Sequence, residues 1–366
     1  MFLEELSLID FRNLENQTFK FGRGITVLYG ANAQGKTNIL EAIYLLATGK
    51  SFRTRADHEL IAWGKTQAKV FGKADNLEPE IVIHPELKEF LVNKQKKKLT
   101  DLIGSFIVVL FTPNDLEIIS GSPDKRRRFL DQLGSNLDRK YLYQLISFNK
   151  ILRNRNQLLF QIKQGKRIDL GVWDTQLAKA ASYLWLTRKD LVAKLKEVLG
   201  SYAKKISKTN LKLEYENSLI KDNRVQTEQY YLAKLKNNLE EEIIKTTTQY
   251  GPHRDDFKII SEEETKEKVI NKDLTIYGSR GEQRAASLAL KLSEASLIEN
   301  ETHSAPTLLL DEVLSELDFQ HRKLLLSQLR RQQAFITSTS LVPIKEILGN
   351  TFASVEIVAG RQKSII

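Results

Sequence analysis

Short apolar segments separated by turns open the chain. Residues 2–9, 24–29, 68–72, 80–83 and 89–92 each have the length and residue types of strands. After Lys36 the spacing changes: the run Asn38, Ile39, Leu40, Ala42, Ile43, Leu45, Leu46 predicts an amphipathic helix. No proline occurs between Pro123 and Pro252, and apolar positions there recur at three- and four-residue intervals. Leu142, Leu145, Ile146, Asn149 and Leu152 form one such series, and Leu177, Ala180, Ala181 and Leu184 another. Gly165, Gly171 and Gly200 are expected to interrupt these helices, giving a compact all-helical insert too short and too broken for a long coiled coil. Strand patterns return after Pro252, at residues 307–310, 334–337 and 355–358. The expected fold is therefore α/β, with a head from residues 1–122 and 246–366 and a helical domain at 123–245.

Composition narrows the chemistry. The chain has 366 residues, 41% hydrophobic and 28% charged, an ordinary globular balance. It has no cysteine, which excludes disulfides, thiolate metal sites and cysteine nucleophiles. Its five histidines are scattered without metal-ligand spacing. The start MFLEELSLIDFRN lacks the basic-then-apolar pattern of a secretory signal, and no apolar run approaches a membrane span, so a cytoplasmic location is expected. A formal charge of +10 suggests a polyanionic partner such as nucleic acid.

The strongest chemical signal is Gly30-Ala31-Asn32-Ala33-Gln34-Gly35-Lys36-Thr37, which follows an apolar strand and opens a helix. A phosphate loop requires that context: the glycines let backbone N–H groups converge on phosphate oxygens at the positive end of the helix. Lys36 is then placed to reach the β- and γ-phosphates of ATP, and the Thr37 hydroxyl to ligate magnesium (Mg2+). A second signal is Thr307-Leu-Leu-Leu310 followed by Asp311 and Glu312, a buried strand delivering two carboxylates to the carboxyl end of a sheet. Asp311 is expected to hold the metal through water, and Glu312 to polarise the attacking water. Alone, many strands end in acidic turns; beside a phosphate loop the pair gains meaning.

The third signal, Ser279-Arg280-Gly281-Glu282, precedes an apolar helix and admits two readings. One is an ordinary S-x-x-E capping box. The other is a bare helix N-terminus that meets a second anion, the nucleotide of another copy. Basic runs at Lys125-Arg126-Arg127-Arg128 and Lys94-Gln-Lys96-Lys97-Lys98 also have two readings. Most such runs are solvated; the alternative is contact with the DNA backbone, through Arg126, Arg127 and Arg128.

Phosphate loop, long insertion, S-x-G-E and Asp-Glu followed by Ser315-Glu316-Leu317-Asp318 is the order found in ABC-type ATPase heads. With Phe11-Arg12-Asn13, Leu110-Phe111-Thr-Pro113-Asn-Asp115-Leu116, Gly251-Pro-His253-Arg254-Asp255-Asp256 and Gly281-Glu-Gln-Arg284, the chain resembles the RecF family essentially end to end. The resemblance implies an SMC/Rad50-like P-loop head with a helical lid in place of the coiled coil. It implies ATP-driven homodimerisation on DNA, slow hydrolysis, and work with RecR and RecO in loading recombinase at gaps. By the same resemblance Arg12 and Asn13 join the phosphate loop at the nucleotide, and Ser279, Gly281 and Glu282 contact ATP from the partner. Transporter ATPases carry a histidine after the last sheet strand, whereas this chain has Thr337-Ser338-Thr339. A transporter-type ATPase subunit and a P-loop small-molecule kinase are the rival readings.

Overall fold

The computed structural model describes residues 2–207, 209–215, 217–264, 269–329 and 332–363. They form two compact units, Met1–Asp115 with Glu294–Ile366, and Leu116–Ser293. The boundary at Ser293 falls inside the helix Arg280–Thr302.

The first unit is built on a six-stranded sheet in the order Arg361–Gln362, Ala353–Val358, Ile25–Tyr29, Ala334–Ser338, Thr307–Leu310, Val108–Phe111. All its pairings are parallel except that of Arg361–Gln362 with Ala353–Val358. Its central strands read as unbroken apolar runs because parallel strands are covered on both faces; every residue of Thr307–Leu310 and Val108–Phe111 is buried. Leu310 stands level with Phe111 on one side and Ile336 on the other, and Thr337 level with Leu28. This register aligns the ends of three strands, and Gly30, Asp311 and Ser338 lie at or just beyond them.

An antiparallel sheet lies in the same unit, ordered Gln17–Lys20, Leu3–Ile9, Ala68–Ala74, Pro79–Ile83, Lys88–Val92, Gln95–Lys97. Its strands alternate: Leu3, Leu6 and Leu8 are buried while the residues between them are less covered. The helix Lys36–Thr48 buries Ile39, Leu40, Ile43, Leu45 and Leu46 in one core with residues of both sheets. Gly49 ends the helix at φ 67°, its N–H bonding the Leu45 carbonyl at 2.7 Å. The buried amide of Gln333 joins the sheets: it accepts from the Leu3 N–H at 2.8 Å and donates to the carbonyls of Leu3 and Gly22 at 2.7 and 2.9 Å. The lysine run at 94–98 lies on the exposed hairpin that follows Lys88–Val92, where Asn93 and Lys94 both have positive φ.

The second unit contains the helices Pro123–Leu137, Arg139–Lys163, Gly171–Ser207, Arg224–Asn237 and Leu239–Lys245. It is not purely helical: a three-stranded antiparallel sheet runs in the order Val269–Asp273, Lys258–Glu264, Asn210–Glu214, the last strand within the stretch read as all helix. Asn210–Glu214 alternates, with Leu211 and Leu213 inward, a period-two signal too short to stand out between helical neighbours. Gly165, at φ 93°, and Gly171 do bound helices, but Gly200 lies inside the 37-residue helix Gly171–Ser207. Leu195, Leu199 and Ala203 are fully buried around it, and their packing outweighs the ~1 kcal/mol that a mid-helix glycine costs. Among the described residues no helix is long and apolar enough to cross a membrane.

A polar core ties the second unit together. Arg188, 2% exposed, donates to Tyr141, to Asp131, to Asp255 and to the Pro252 carbonyl. Asp255 also accepts from Trp185 Nε1 at 3.0 Å, the Tyr215 hydroxyl at 2.5 Å and Asn217 Nδ2 at 2.8 Å. Arg155 is fully buried and is held by Asp174, Glu242 and Thr248. The Gly251–Asp256 motif is thus structural here. Buried guanidinium groups are tolerated because every charge meets an opposite charge and several hydrogen bonds.

His253 of that motif faces Phe148 at 5.8 Å and donates from Nε2 to the Thr248 carbonyl at 3.1 Å; its Nδ1 is sealed from solvent without a partner. Burial, reinforced by nearby Arg254, Arg127 and Arg188, lowers its pKa from 6.5 to about 4. Because the folded pKa is depressed, the unfolded chain takes up the proton first. Stability is full above pH 6.5 and falls as pH drops towards 4, by about 3 kcal/mol in all. His253→Gln stays neutral, so urea unfolding across pH 4–7 should show a markedly shallower fall in the variant; parallel curves would clear His253.

Candidate functional site

Residues 30–37 leave strand Ile25–Tyr29 and enter helix Lys36–Thr48. Two glycines in this turn have conformations that few other residues adopt, Gly30 at φ 146° and Gly35 at φ 101°. A Cβ on Gly30 would lie 2.4 Å from the Ile357 carbonyl oxygen, and one on Gly35 2.9 Å from Asn13 Oδ1. Ala31, Asn32 and Ala33 are exposed, with Ala33 also at positive φ, 62°. Gln34 is pinned from the far end of the chain: its Oε1 accepts from the Ala359 N–H at 2.6 Å and its carbonyl from Gly360 at 3.0 Å. Lys36 is 4% exposed and donates to the carbonyls of Gly30 and Ala31, both at 2.7 Å. Burial lowers its pKa, while Glu312 and Asp311 act to raise it.

The second group arrives on the neighbouring strands. Thr37 Oγ1 donates to Asp311 Oδ1 at 2.8 Å, and Thr337 Oγ1 to the same oxygen at 2.9 Å. Burial raises the Asp311 pKa, and the two hydroxyls work against that rise. Thr337 in turn accepts the Glu312 N–H at 2.9 Å. Glu312 sits at φ 54°, a conformation that costs a non-glycine residue of order 1 kcal/mol, and this turns its carboxylate outward, exposed and without a hydrogen-bond partner among the described residues.

Residues 33–38, Asp311 and Glu312 line one open cavity of about 740 Å³. Arg12, Asn13, Arg53 and Trp63 line it too. Arg12 forms a two-pronged bond with the buried Glu41 of the loop helix, at 3.0 and 2.7 Å, and donates to the Glu59 carbonyl at 2.8 Å. Its guanidinium is thereby committed mainly to positioning the helix. Asn13 accepts from Asn38 at 2.7 Å and packs against Gly35. Glu312 also borders a second cavity of about 400 Å³, with Asn32, Ser315 and the Thr337-Ser338-Thr339 segment. Asp318, which closes the motif after Glu312, caps helix Phe319–Gln328 by accepting from the His321 N–H at 2.9 Å.

The oxygens of Thr37 and Asp311 suit magnesium, a hard cation that takes few protein ligands and completes its shell with water and phosphate. No group of three or more His, Cys, Asp or Glu side chains placed to hold a metal ion is present among the described residues.

In the second unit, Ser279 and Glu282 do form the reciprocal cap: the Ser279 N–H donates to Glu282 at 2.7 Å and the Glu282 N–H to Ser279 Oγ at 3.3 Å. Lys272 holds both Glu282 carboxylate oxygens, at 2.7 and 2.9 Å; with the Ser279 bonds this lowers the Glu282 pKa to about 2. Gly281 is different. It is exposed, has no unusual φ, and a Cβ there would meet nothing. Nothing among the described residues requires glycine at that position. Ile276 and Tyr277, 70% and 69% exposed, stand just before it.

Within the basic run at 125–128, Arg126 needs correction as a DNA contact. Arg126 is 4% exposed, paired with Asp256 at 2.6 and 2.8 Å and bonded to the Ile119 and Gly121 carbonyls. Arg127 donates to the Asp255 carbonyl at 2.7 Å. Only Arg128 is largely exposed, beside Asp124 at 3.2 Å. A helix that buries Phe129, Leu130 and Leu133 carries its first arginines inward with them.

Thr337, Arg53 and Trp63 were not anticipated as site residues. Only the Thr-Ser-Thr after an apolar strand carried any local signal.

The model for the RecF/RecN/SMC N terminal domain family matches residues 2–355. The DNA replication and repair protein RecF of Alkaliphilus oremlandii (strain OhILAs) is 39% identical, over 95% of this chain and 96% of its own length. The solved structure of the recombination mediator protein RecF-ATPrS in the RecFOR pathway is 35% identical with a TM-score of 0.90, covering 100% of this chain and 98% of that one. The Smc head domain of Pyrococcus furiosus bound to part of ScpA, 17% identical at TM-score 0.57 over 99% of this chain and 95% of its own, shares the fold. Phosphate loop, Asp-Glu strand end, signature helix and near full-length likeness agree: the chain belongs to the RecF family.

Proposed function

We propose that this chain is an ATP-gated DNA clamp of replication-linked recombinational repair, an ATPase whose slow hydrolysis acts as a switch. The first unit with the start of helix Arg280–Thr302 serves as head, and the helices between as lid. The observation that carries the reading is the convergence of Thr37 and Asp311 at 2.8 Å in a cavity that also presents Lys36 and a free Glu312. The relative from Alkaliphilus oremlandii is named a DNA replication and repair protein, and the RecF structure similar to this chain is a recombination mediator described with an ATP analogue. Nothing favours a transporter subunit.

ATP enters with its phosphates against the N–H groups of residues 33–37. Lys36 releases the Gly30 and Ala31 carbonyls and turns to the β- and γ-phosphates. Thr37 and Asp311 hold magnesium, which neutralises charge on the phosphate oxygens when bound. Glu312, turned outward by its left-handed backbone, polarises the attacking water. The bare helix end at Gly281 contacts the γ-phosphate of a second copy, so two nucleotides are enclosed by a homodimer. The Ile276–Tyr277 pair suits that seam. DNA is held through its phosphates, by cations other than Arg126, and RecR and RecO are the partners. The action is cytoplasmic.

Lys36→Ala should lower turnover by at least ~10²-fold, because a point charge at the transferring phosphate is lost. Glu312→Gln should keep ATP affinity, stop hydrolysis and leave an ATP-dependent dimer that persists in sedimentation on duplex DNA. A Glu312→Gln variant that fails to bind ATP would remove Glu312 from the water-activating role.

Gly281→Ala should leave thermal stability within about 0.5 kcal/mol of the native chain, since the added methyl meets nothing in the monomer. ATP-dependent dimerisation and hydrolysis should nonetheless fall. Unchanged turnover would remove Gly281 from the seam.

A further inference from the structure

Trp63 is fully exposed, with 101% relative accessibility, whereas Trp185 is completely buried. An exposed indole gains nothing from the fold, since it makes no hydrogen bond or ring contact among the described residues. Yet the backbone beneath it is firmly held. Ile61 pairs with Phe11, the Ala62 N–H bonds the Asp10 carbonyl at 2.8 Å, and the Lys65 N–H bonds the Ala62 carbonyl at 3.0 Å. These ties fix Trp63 to the turn that presents Arg12 and Asn13, and Asn13 packs against Gly35 of the phosphate loop. Trp63 therefore stands at a set place on the wall of the 740 Å³ cavity.

The cavity is chemically two-sided. Lys36, Thr37, Asp311 and Glu312 supply cation, hydroxyl and carboxylates; Trp63, beside Ile61, is the one aromatic residue on its wall among the described residues. A nucleotide has the same division, a charged phosphate tail and a flat base. We propose that Trp63 is the stacking platform for the purine base of the nucleotide whose phosphates the Gly30–Thr37 loop holds. This rests on the ATP-binding reading above and assigns the base end of that site. Stacking on an indole face needs no hydrogen-bond match, so it favours purines over pyrimidines by area and does not separate ATP from GTP.

Calorimetric titration of the native chain, Trp63→Ala, Trp63→Phe and Lys36→Ala with ATP, GTP, CTP and tripolyphosphate tests the assignment. Trp63→Ala should weaken ATP and GTP about 10-fold, CTP less, and tripolyphosphate not at all, as loss of one base–aromatic stack implies. Trp63→Phe should recover most of the loss. In the native chain, and not in Trp63→Phe, ATP but not tripolyphosphate should shield tryptophan emission from acrylamide; the buried Trp185 and the partly buried Trp173 remain in both chains and give the background. Unchanged ATP affinity in Trp63→Ala overturns the proposal, and so does equal weakening of tripolyphosphate, which marks a merely structural role. If either occurs while Lys36→Ala still loses both ATP and tripolyphosphate, the phosphate-loop reading survives without Trp63. A native chain that binds neither ligand overturns both.

Discussion

One oxygen of Asp311 accepts hydrogen bonds from two threonine hydroxyls, Thr37 at 2.8 Å and Thr337 at 2.9 Å, and the site depends on that meeting. Thr37 lies 274 positions from Asp311 in sequence and Thr337 only 26; Asp311 and Thr337 stand on neighbouring strands of one parallel sheet, and Thr37 opens the helix that follows the next strand. They meet because Leu310, Ile336 and Val27 lie in register, so the strand ends align to within two residues. A slip of one residue in any of these strands would turn its side chains to the opposite face and separate them. The unbroken apolar runs of these strands therefore do more than fill a core: they fix where a carboxylate and a loop hydroxyl stand. Thr337 further holds the Glu312 N–H, so the same hydroxyl that supports Asp311 also fixes the backbone that turns Glu312 outward.

The phosphate loop and Asp311–Glu312 could be read from the sequence because each is a local pattern: a strand, a turn of defined chemistry, a helix. The alternating and continuous apolar runs made the longer strands of the first unit legible for the same reason, whereas the short edge strands Gln17–Lys20, Gln95–Lys97 and Arg361–Gln362 carry no such run. What escaped depends on distant partners. Nothing near Gln34 indicates that residues 359–360 hold it, and nothing near Arg12 indicates that Glu41 takes its guanidinium. Arg126 shows the converse. Four consecutive basic residues suggest an exposed stripe, but a helix turns 100° per residue, and burying Phe129, Leu130 and Leu133 draws Arg126 inside to Asp256. The strand Asn210–Glu214 was hidden because five alternating residues carry little weight beside long helical patterns.

The signature segment shows the first of the two readings offered for it and leaves room for the second. Ser279 and Glu282 are a genuine helix cap, anchored further by Lys272. Gly281, between them, has no role in that cap: the space around its Cα is open and its backbone is ordinary. A cap that is complete without its glycine leaves the end of the helix free for a group from outside. The phosphate loop is the opposite case, since Gly30 and Gly35 are demanded by positive φ and by close contacts within the chain. Gly30 and Gly35 are thus explained within the chain, whereas Gly281 is explained only by the composite site proposed above.

Mixing two inactive variants tests the composite site most directly. Lys36→Ala lacks a working phosphate loop, and Ser279→Arg places bulk and charge at the signature. In a mixed dimer built across copies, one site joins the intact loop of one chain to the intact signature of the other, while the second site carries both lesions. ATP hydrolysis measured on the mixture should therefore recover part of the native rate, although each variant alone is silent. If mixed dimers form and hydrolysis stays at the level of the separate variants, every site carries a lesion of its own and the signature acts within one chain, contrary to the composite-site account.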